Sequence, residues 1–298
     1  RRTNSFNFKR SCSRVRKSAK INFGNFVMKF NKQHVIITGG SSGIGKATAI
    51  MLAKEGANIS IIARRQDILS AAKAEIEAAK VTPEQRIISI SASVENSTQI
   101  EEAINTAIEE IGIPSLLITS AGIAYPGYFQ ELPMKVFEDT MAINYFGNLY
   151  AIKSVLPSMM QKQQGHIVII SSAAALIGIY GYTPYSPSKF ALRGLAESLR
   201  GELKCFGINI SIVYPPDTDT PQLVAENRTK PDETKLITGM AKTWSAEDVA
   251  RVILRGIKKK YFAITPGLEA KLLLYLHSLL APIINWYFDI NIKRLHNS

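Results

Sequence analysis

Short apolar runs alternate along this chain with stretches in which apolar side chains recur every three or four positions. The runs His34–Thr38, Asn58–Ala63, Arg86–Ser91, Ser115–Thr119, His166–Ser171, Ile208–Tyr214 and Tyr261–Thr265 are rich in β-branched residues and bounded by turn residues, which predicts about seven strands. Between them the helical period predicts Ile44–Lys54, a helix ending near Lys80, Ser97–Ile111, a long helical region Pro133–Gln163, a helix from about Pro184 to Phe206, and Ser245–Ile257. The last begins Ser-Ala-Glu-Asp, which resembles a capping box. Strands apolar on both faces that alternate with helices form a parallel sheet covered on both sides. Residues 34–267 are therefore expected to make one doubly wound α/β domain.

Two segments depart from this rhythm. Residues 221–243 hold few apolar side chains and read as a mobile flap. Leu272–Phe288 is seventeen residues without a formal charge, interrupted by Pro282. As a helix it would extend about 26 Å, short of the roughly 30 Å hydrocarbon core of a bilayer. His277, Ser278, Ala281 and Asn285 form a narrow less-apolar stripe, and Trp286, Tyr287, Lys293 and Arg294 resemble interfacial anchors. Residues 268–298 are thus expected to be a hydrophobic helical tail, read first as a kinked helix lying in one leaflet. A dimer-forming tail is the second reading and a true span the third.

Composition and charge narrow the class. With 298 residues, 46% hydrophobic and 20% charged, the chain is neither disordered nor serially membrane-spanning. The net charge of +12 is concentrated at one end. Residues 1–33 carry ten Lys or Arg and no acid, leaving the rest near balance. This basic head reads as a targeting segment, as a binder of anionic lipid or nucleic acid, or as sequence upstream of the folded unit, with order expected only from about Phe26. No nucleic-acid partner is expected for the folded domain itself. Cys12 and Cys205 make no disulfide framework, and His34, His166, His277 and His296 lie too far apart in sequence to suggest a metal site.

Chemistry begins at the first turn, Thr38-Gly39-x-x-x-Gly43-Ile44-Gly45. Glycines between a strand and a helix let the backbone approach a pyrophosphate, and the helix N-terminus offers unpaired N–H groups. Ser41 and Ser42 lie inside that turn. No Lys-Ser/Thr follows, which disfavours a triphosphate-binding loop. After the second strand, where a site for NAD wants a carboxylate, the chain has Ala63-Arg64-Arg65. A guanidinium there suits a 2′-phosphate in charge and shape, so NADPH/NADP+ is the expected cofactor.

The catalytic candidates are Asn144, Ser172, Tyr185 and Lys189. Tyr185 and Lys189, four apart, share a helix face. A phenol beside a cation can donate a proton to a carbonyl, and Ser172 can hydrogen-bond the same oxygen. Lys189 can supply that cation and also bind the nicotinamide ribose, so Tyr185 and Lys189 are expected among the cofactor contacts as well. Together with the glycine turn, these residues make residues 34–265 resemble the short-chain dehydrogenase/reductase family. The resemblance implies a Rossmann-like sheet and a catalytic tetrad in which Asn144 holds a water of the proton relay. It adds Val94, Ala121, Gly122, Pro215, Thr218 and Thr220 to the cofactor contacts, with Thr220 meeting the nicotinamide carboxamide. Family members often pair through the helices around the Tyr-Lys motif, which implies a homodimer.

A narrower resemblance rests on Tyr185–Leu199, on Tyr214-Pro-Pro-Asp-Thr-Asp-Thr-Pro221 and on Ala225-Glu-Asn-Arg-Thr-Lys-Pro-x-Glu-Thr234. These segments are similar to those of 3-ketodihydrosphingosine (3-dehydrosphinganine) reductases. That likeness implies NADPH-dependent reduction of a long-chain keto lipid in sphingolipid synthesis. It also implies association with a membrane, the endoplasmic reticulum in a eukaryote, with the catalytic domain in the cytosol; a cytoplasmic enzyme is the second choice. Reduction of another hydrophobic ketone, such as a steroid or a 3-ketoacyl lipid, is the rival activity, and a non-catalytic NADP-binding sensor the rival class. Two departures from the family stand out: Thr119-Ser120 replaces the usual Asn-Asn, and Ser93 replaces an Asp that commonly meets the adenine. Ile123, Tyr125, Leu176, Ile177, Ile179, Tyr180 and Tyr182 follow strand ends and are expected to form an apolar substrate pocket. Asp217 and Asp219 could meet a substrate ammonium or cap the next helix.

Overall fold

The computed structural model describes residues 29–239 and 242–296. The basic head up to Met28 lies outside these residues. Seven strands form one parallel sheet: β1 (His34–Thr38), β2 (Asn58–Ala63), β3 (Ile87–Ser91), β4 (Leu116–Thr119), β5 (Gly165–Ile170), β6 (Ile208–Val213) and β9 (Ala263–Ile264). Their order is β3-β2-β1-β4-β5-β6-β9. The chain builds outward from β1 to β3 and then returns to the other side of β1. A crevice therefore opens at the carboxyl ends of β1 and β4, where open α/β sheets bind ligands.

Strand pleating sends alternate residues into two separate cores. Val35, Ile37, Ile59, Ile61 and Ile118 pack under α1 (Gly43–Lys54), α2 (Gln66–Glu77) and α9 (Ala246–Lys258). Ile36, Ile62, Leu117, Ile167 and Ile169 pack under α3 (Ser97–Ile111), α5 (Gly147–Lys162) and α6 (Tyr185–Leu203). The fully apolar runs in the sequence are this two-sided burial. Between α3 and α5 lies α4 (Met134–Met141).

Three differences from the sequence reading have physical causes. The region 133–163 is helical from Met134 to Lys162 without a break, but not uniformly α: the five residues Ala142–Phe146 form a π-helical turn between α4 and α5. Such a turn carries one extra residue and re-aims its side chains, and Asn144 sits in it. The last strand shrinks to Ala263–Ile264, because only these two residues pair with Ile212 and Val213 at the sheet edge. The segment read as a flap holds two short helices, α7 (Pro221–Glu226) and α8 (Asp232–Thr238). It is flanked by the small parallel pair β7 (Thr218–Asp219) and β8 (Trp244–Ser245). Its charged residues Glu226, Lys230 and Glu233 are buried.

The tail is a continuous helix, α10 (Leu268–His296), with Pro282 inside it. Its first turns dock onto the domain, burying Ala270 and packing Leu273 and Leu274 against the main core. Leu268, Leu272, Tyr275, Leu276, Leu279, Ile283 and Trp286 stay exposed. At 100° per residue these seven fall within one stripe. Among the described residues, no helix is long and apolar enough to cross a membrane.

Candidate active site

A cavity of about 510 Å³ opens above the carboxyl ends of the strands. Gly39 enters it with φ +71°, and a Cβ there would lie 2.5 Å from the amide nitrogen of Ala121. Only glycine fits that approach. A Cβ on Gly45 would strike the Gly39 carbonyl at 2.3 Å, so this glycine instead allows α1 to pack close to the turn. Ser42, the residue before α1, makes no side-chain cap, and the first turn of α1 holds no acid. The unpaired N–H groups of that turn are left for an anion. Ser41, Ser42, Gly43 and Ile44 line the cavity beside Gly39, and the turn suits a pyrophosphate in space and in charge.

The far wall is formed by Arg64 and Arg65. Arg64 Nη1 is 4.0 Å from Glu95 in an exposed pair, which leaves the guanidinium available. Ser93 donates to Glu95 at 3.2 Å, so that hydroxyl is turned to its own loop. Val94, Ala121 and Gly122 line the middle, and Pro215, Thr218 and Thr220 the opposite rim. Thr119, by contrast, is buried with no hydrogen-bond partner for its hydroxyl among the described residues. Ser120 Oγ would lie 3.2 Å from a Cβ on Gly45. The paired amide side chains typical of the family are thus replaced by one idle hydroxyl and one small packing residue.

Ser172, Tyr185 and Lys189 face the same cavity. Lys189 Nζ lies 5.4 Å from the centre of the Tyr185 ring and donates to the Ile170 carbonyl at 3.3 Å. Burial pushes the Lys189 ammonium down to about 8, with Glu226 opposing the fall. Burial also raises the Tyr185 phenol well above its usual range, and the Glu226 charge raises it further. Hydrogen bonding to Ser172 and Gln222 pulls the phenol back down. Asn144 is fully buried behind this group rather than lining the cavity. Its Oδ1 accepts from the Ile123 amide at 2.8 Å, and its Nδ2 donates to the Ile123 carbonyl and to Ser188 Oγ, each at 2.9 Å. Gly122 separates it from the lysine: a Cβ there would be 3.2 Å from Asn144 Oδ1 and 3.5 Å from Lys189 Nζ.

The expected substrate residues divide. Ile123, Ile179 and Tyr182 line the cavity, but Leu176 is fully buried in the main core, and Tyr180 turns its hydroxyl to Glu233 at 3.5 Å. Asp217 lines the cavity and is held by Lys230 at 3.4 Å, whereas Asp219 lies exposed outside it. Thr220, not Asp219, caps α7 by accepting from the Leu223 amide. Residue patterning missed Gln222 and Glu226, which enter from α7. Their i, i+4 spacing, one helical face after a Thr-Pro start, was the available signal.

The pattern of the short chain dehydrogenase family matches residues 33–231. The chain belongs to this family. A 3-ketodihydrosphingosine reductase of Bos taurus is 41% identical over 251 residues, covering 84% of this chain and 76% of its own. A relative of the same name from Dictyostelium discoideum is 43% identical over 276 residues, 88% of this chain and 83% of its own. The 3-dehydrosphinganine reductase of Danio rerio is 40% identical over 257 residues, 86% and 77% respectively. Among solved structures, levodione reductase superposes with a TM-score of 0.74 over 81% of this chain and 99% of its own, at 23% identity. That likeness carries the fold of this short-chain dehydrogenase.

Proposed function

We propose that this short-chain dehydrogenase reduces 3-ketodihydrosphingosine to dihydrosphingosine with NADPH. The observation that supports it most directly is the 40–43% identity to reductases of that name across most of the chain. Ser172, Tyr185 and Lys189 also gather on one cavity wall. The uncapped glycine turn would hold the pyrophosphate and the two arginines the 2′-phosphate. Val94, Ala121 and Gly122 would line the path between, with Pro215, Thr218 and Thr220 at the nicotinamide end. When bound, the cofactor supplies the hydride for the carbonyl carbon.

The chain's own residues manage the proton. Ser172 and Tyr185 hydrogen-bond the carbonyl oxygen, and Tyr185 gives up its proton to that oxygen as it becomes a hydroxyl. The adjacent Lys189 ammonium stabilises the phenolate left behind, offsetting the burial that holds the phenol's acidity down. Asn144 holds the Ile123 backbone and Ser188 from behind, which fixes the floor under the tyrosine and lysine. The membrane is the substrate's reservoir, since a long acyl chain partitions into bilayers. The exposed stripe of α10 supports a chain that rests on a membrane surface, the catalytic domain on the cytosolic side. Turnover of 3-ketodihydrosphingosine with NADPH and with NADH, beside a steroid and a 3-ketoacyl thioester, tests the assignment. Preference for either of the last two would overturn it, and failure to turn over any ketone would favour a sensor.

A further inference from the structure

Two carboxylates line the cavity, and they are not equivalent. Asp217 is paired with Lys230, whose side chain is itself buried. Glu226 is only 7% exposed and accepts from the Tyr182 hydroxyl at 2.7 Å and from Gln222 Nε2 at 2.8 Å, both neutral donors. Among the described residues no Lys, Arg or His forms an ion pair with it. A buried carboxylate with no direct ion-pair partner is costly to keep, and the Lys189 ammonium acts on it only without contact. Reduction of a plain ketone does not call for it, because a negative charge here opposes ionisation of Tyr185. A charge kept at such cost beside the reacting groups wants a cation that arrives from outside.

We propose that Glu226 receives the substrate's amino group as an ammonium, so that the enzyme selects 2-amino-3-ketones over plain ketones. The proposal rests on the reading of function above, which supplies an amine on the carbon next to the carbonyl. That adjacency requires a carboxylate near the proton donor, and Glu226 acts electrostatically on Tyr182, Tyr185 and Lys189 together. Seating the ammonium neutralises the charge that holds the phenol up. Tyr185 thereby becomes a better proton donor only when the correct substrate is bound. Recognition and proton donation are coupled through one side chain.

The test compares two ketones in the same detergent micelles with the whole 298-residue chain: 3-ketodihydrosphingosine and its counterpart with hydrogen in place of the amine. Glu226→Gln should lower the ratio of kcat/KM, amine over deamino, at least tenfold, chiefly through KM. Glu226→Asp, which keeps the charge, should lower it less. Lys189 faces Tyr185 and Glu226, with Tyr182, Asp217 and Lys230 beyond. Losing the Glu226 charge should move the alkaline limb for the deamino ketone to lower pH. A Glu226 that merely holds Tyr182 in place would slow both ketones equally, and an unmoved ratio overturns the proposal. Should the variants not fold, the unaltered enzyme decides: a long-chain primary amine must inhibit at least tenfold better than the matching alcohol, and equal inhibition overturns the proposal. An unaltered enzyme that reduces the deamino ketone but not the amino ketone overturns the assigned function, and this proposal with it. Normal turnover with an unmoved ratio removes only the role of Glu226.

Discussion

At the scale of single residues, burial holds two groups of the site away from their ordinary acidities, the Tyr185 phenol above and the Lys189 ammonium below. Tyr185→Phe removes the donated proton and leaves the ring's packing against Tyr182. It should keep cofactor affinity and lose turnover by roughly 10²–10⁴-fold, as for a lost general acid. Stopped-flow turnover beside fluorescence titration of NADPH separates the two, and an unchanged kcat would remove Tyr185 from the chemistry. Lys189 is useful only as a cation, and burial brings it to about 8. Turnover per enzyme should therefore fall as pH rises through about 8, whereas a flat profile to pH 10 would deny Lys189 its charge role. Arg64 offers a third residue-level handle. Arg64→Asp removes a guanidinium partner for the 2′-phosphate and installs a ribose acceptor. A charge-assisted contact is worth about 1.5–3 kcal/mol, so kcat/KM should shift towards NADH by at least tenfold. A shift seen only in Arg65→Asp would place the phosphate one residue along.

At the scale of elements, the strands were legible because each core strand is apolar on both faces, as at Val35, Ile36 and Ile37. The glycine turn was legible because Gly39 is required by a backbone approach that no other residue permits. What stayed hidden depends on contacts between distant segments. Asn144 could be named from its motif, but the π-helical turn that aims it has no local composition signal. Residues 221–243 read as a mobile flap because they hold few apolar side chains, yet Glu226, Lys230 and Glu233 are buried against partners 13 to more than 100 residues away. The buried histidines of β1 and β5 were equally silent in the sequence. His34 Nδ1 donates to the Gly112 carbonyl and its Nε2 accepts from Ser60. His166 Nε2 donates to Ser211, whose own hydroxyl donates to the Tyr261 carbonyl. Burial lowers both imidazoles to about 4. The unfolded chain takes up these protons near pH 6.5 and the folded chain does not. Their stabilisation is whole above about pH 6.5 and is lost as pH falls towards 4, by about 3 kcal/mol for each. The melting temperature should therefore drop between pH 7 and pH 5, and His166→Gln should flatten part of that slope. A melting temperature independent of pH across this range would mean the rings are hydrated.

At the scale of the whole molecule, the question is how a lipid would reach a cavity at the carboxyl edge of a sheet that helices cover on both faces. The docked start of α10 fixes the helix to the domain through Ala270, Leu273 and Leu274. The same helix touches α8, the element whose Thr234 hydroxyl bonds the Tyr180 carbonyl near the cavity. The helix that carries the stripe thus also packs against the cavity's own covering segment. Deleting the whole tail would expose core residues, so a cleaner test changes only the outward stripe. In the triple variant Leu279→Gln, Ile283→Gln and Trp286→Gln, each site is exposed, and the first docked turns are untouched. Burying such side chains fully is worth about 1.5–3 kcal/mol each, so even half burial of three in acyl chains is worth about 3 kcal/mol. Flotation with phosphatidylcholine–phosphatidylserine vesicles should show binding weakened by roughly a hundredfold. NADPH affinity and the melting temperature should stay unchanged, while turnover of vesicle-embedded substrate falls more than turnover of a short soluble analogue. If the variant floats as before and instead changes from dimer to monomer in sedimentation, the stripe is an interface between two copies, and the cavity must be supplied with lipid by another face.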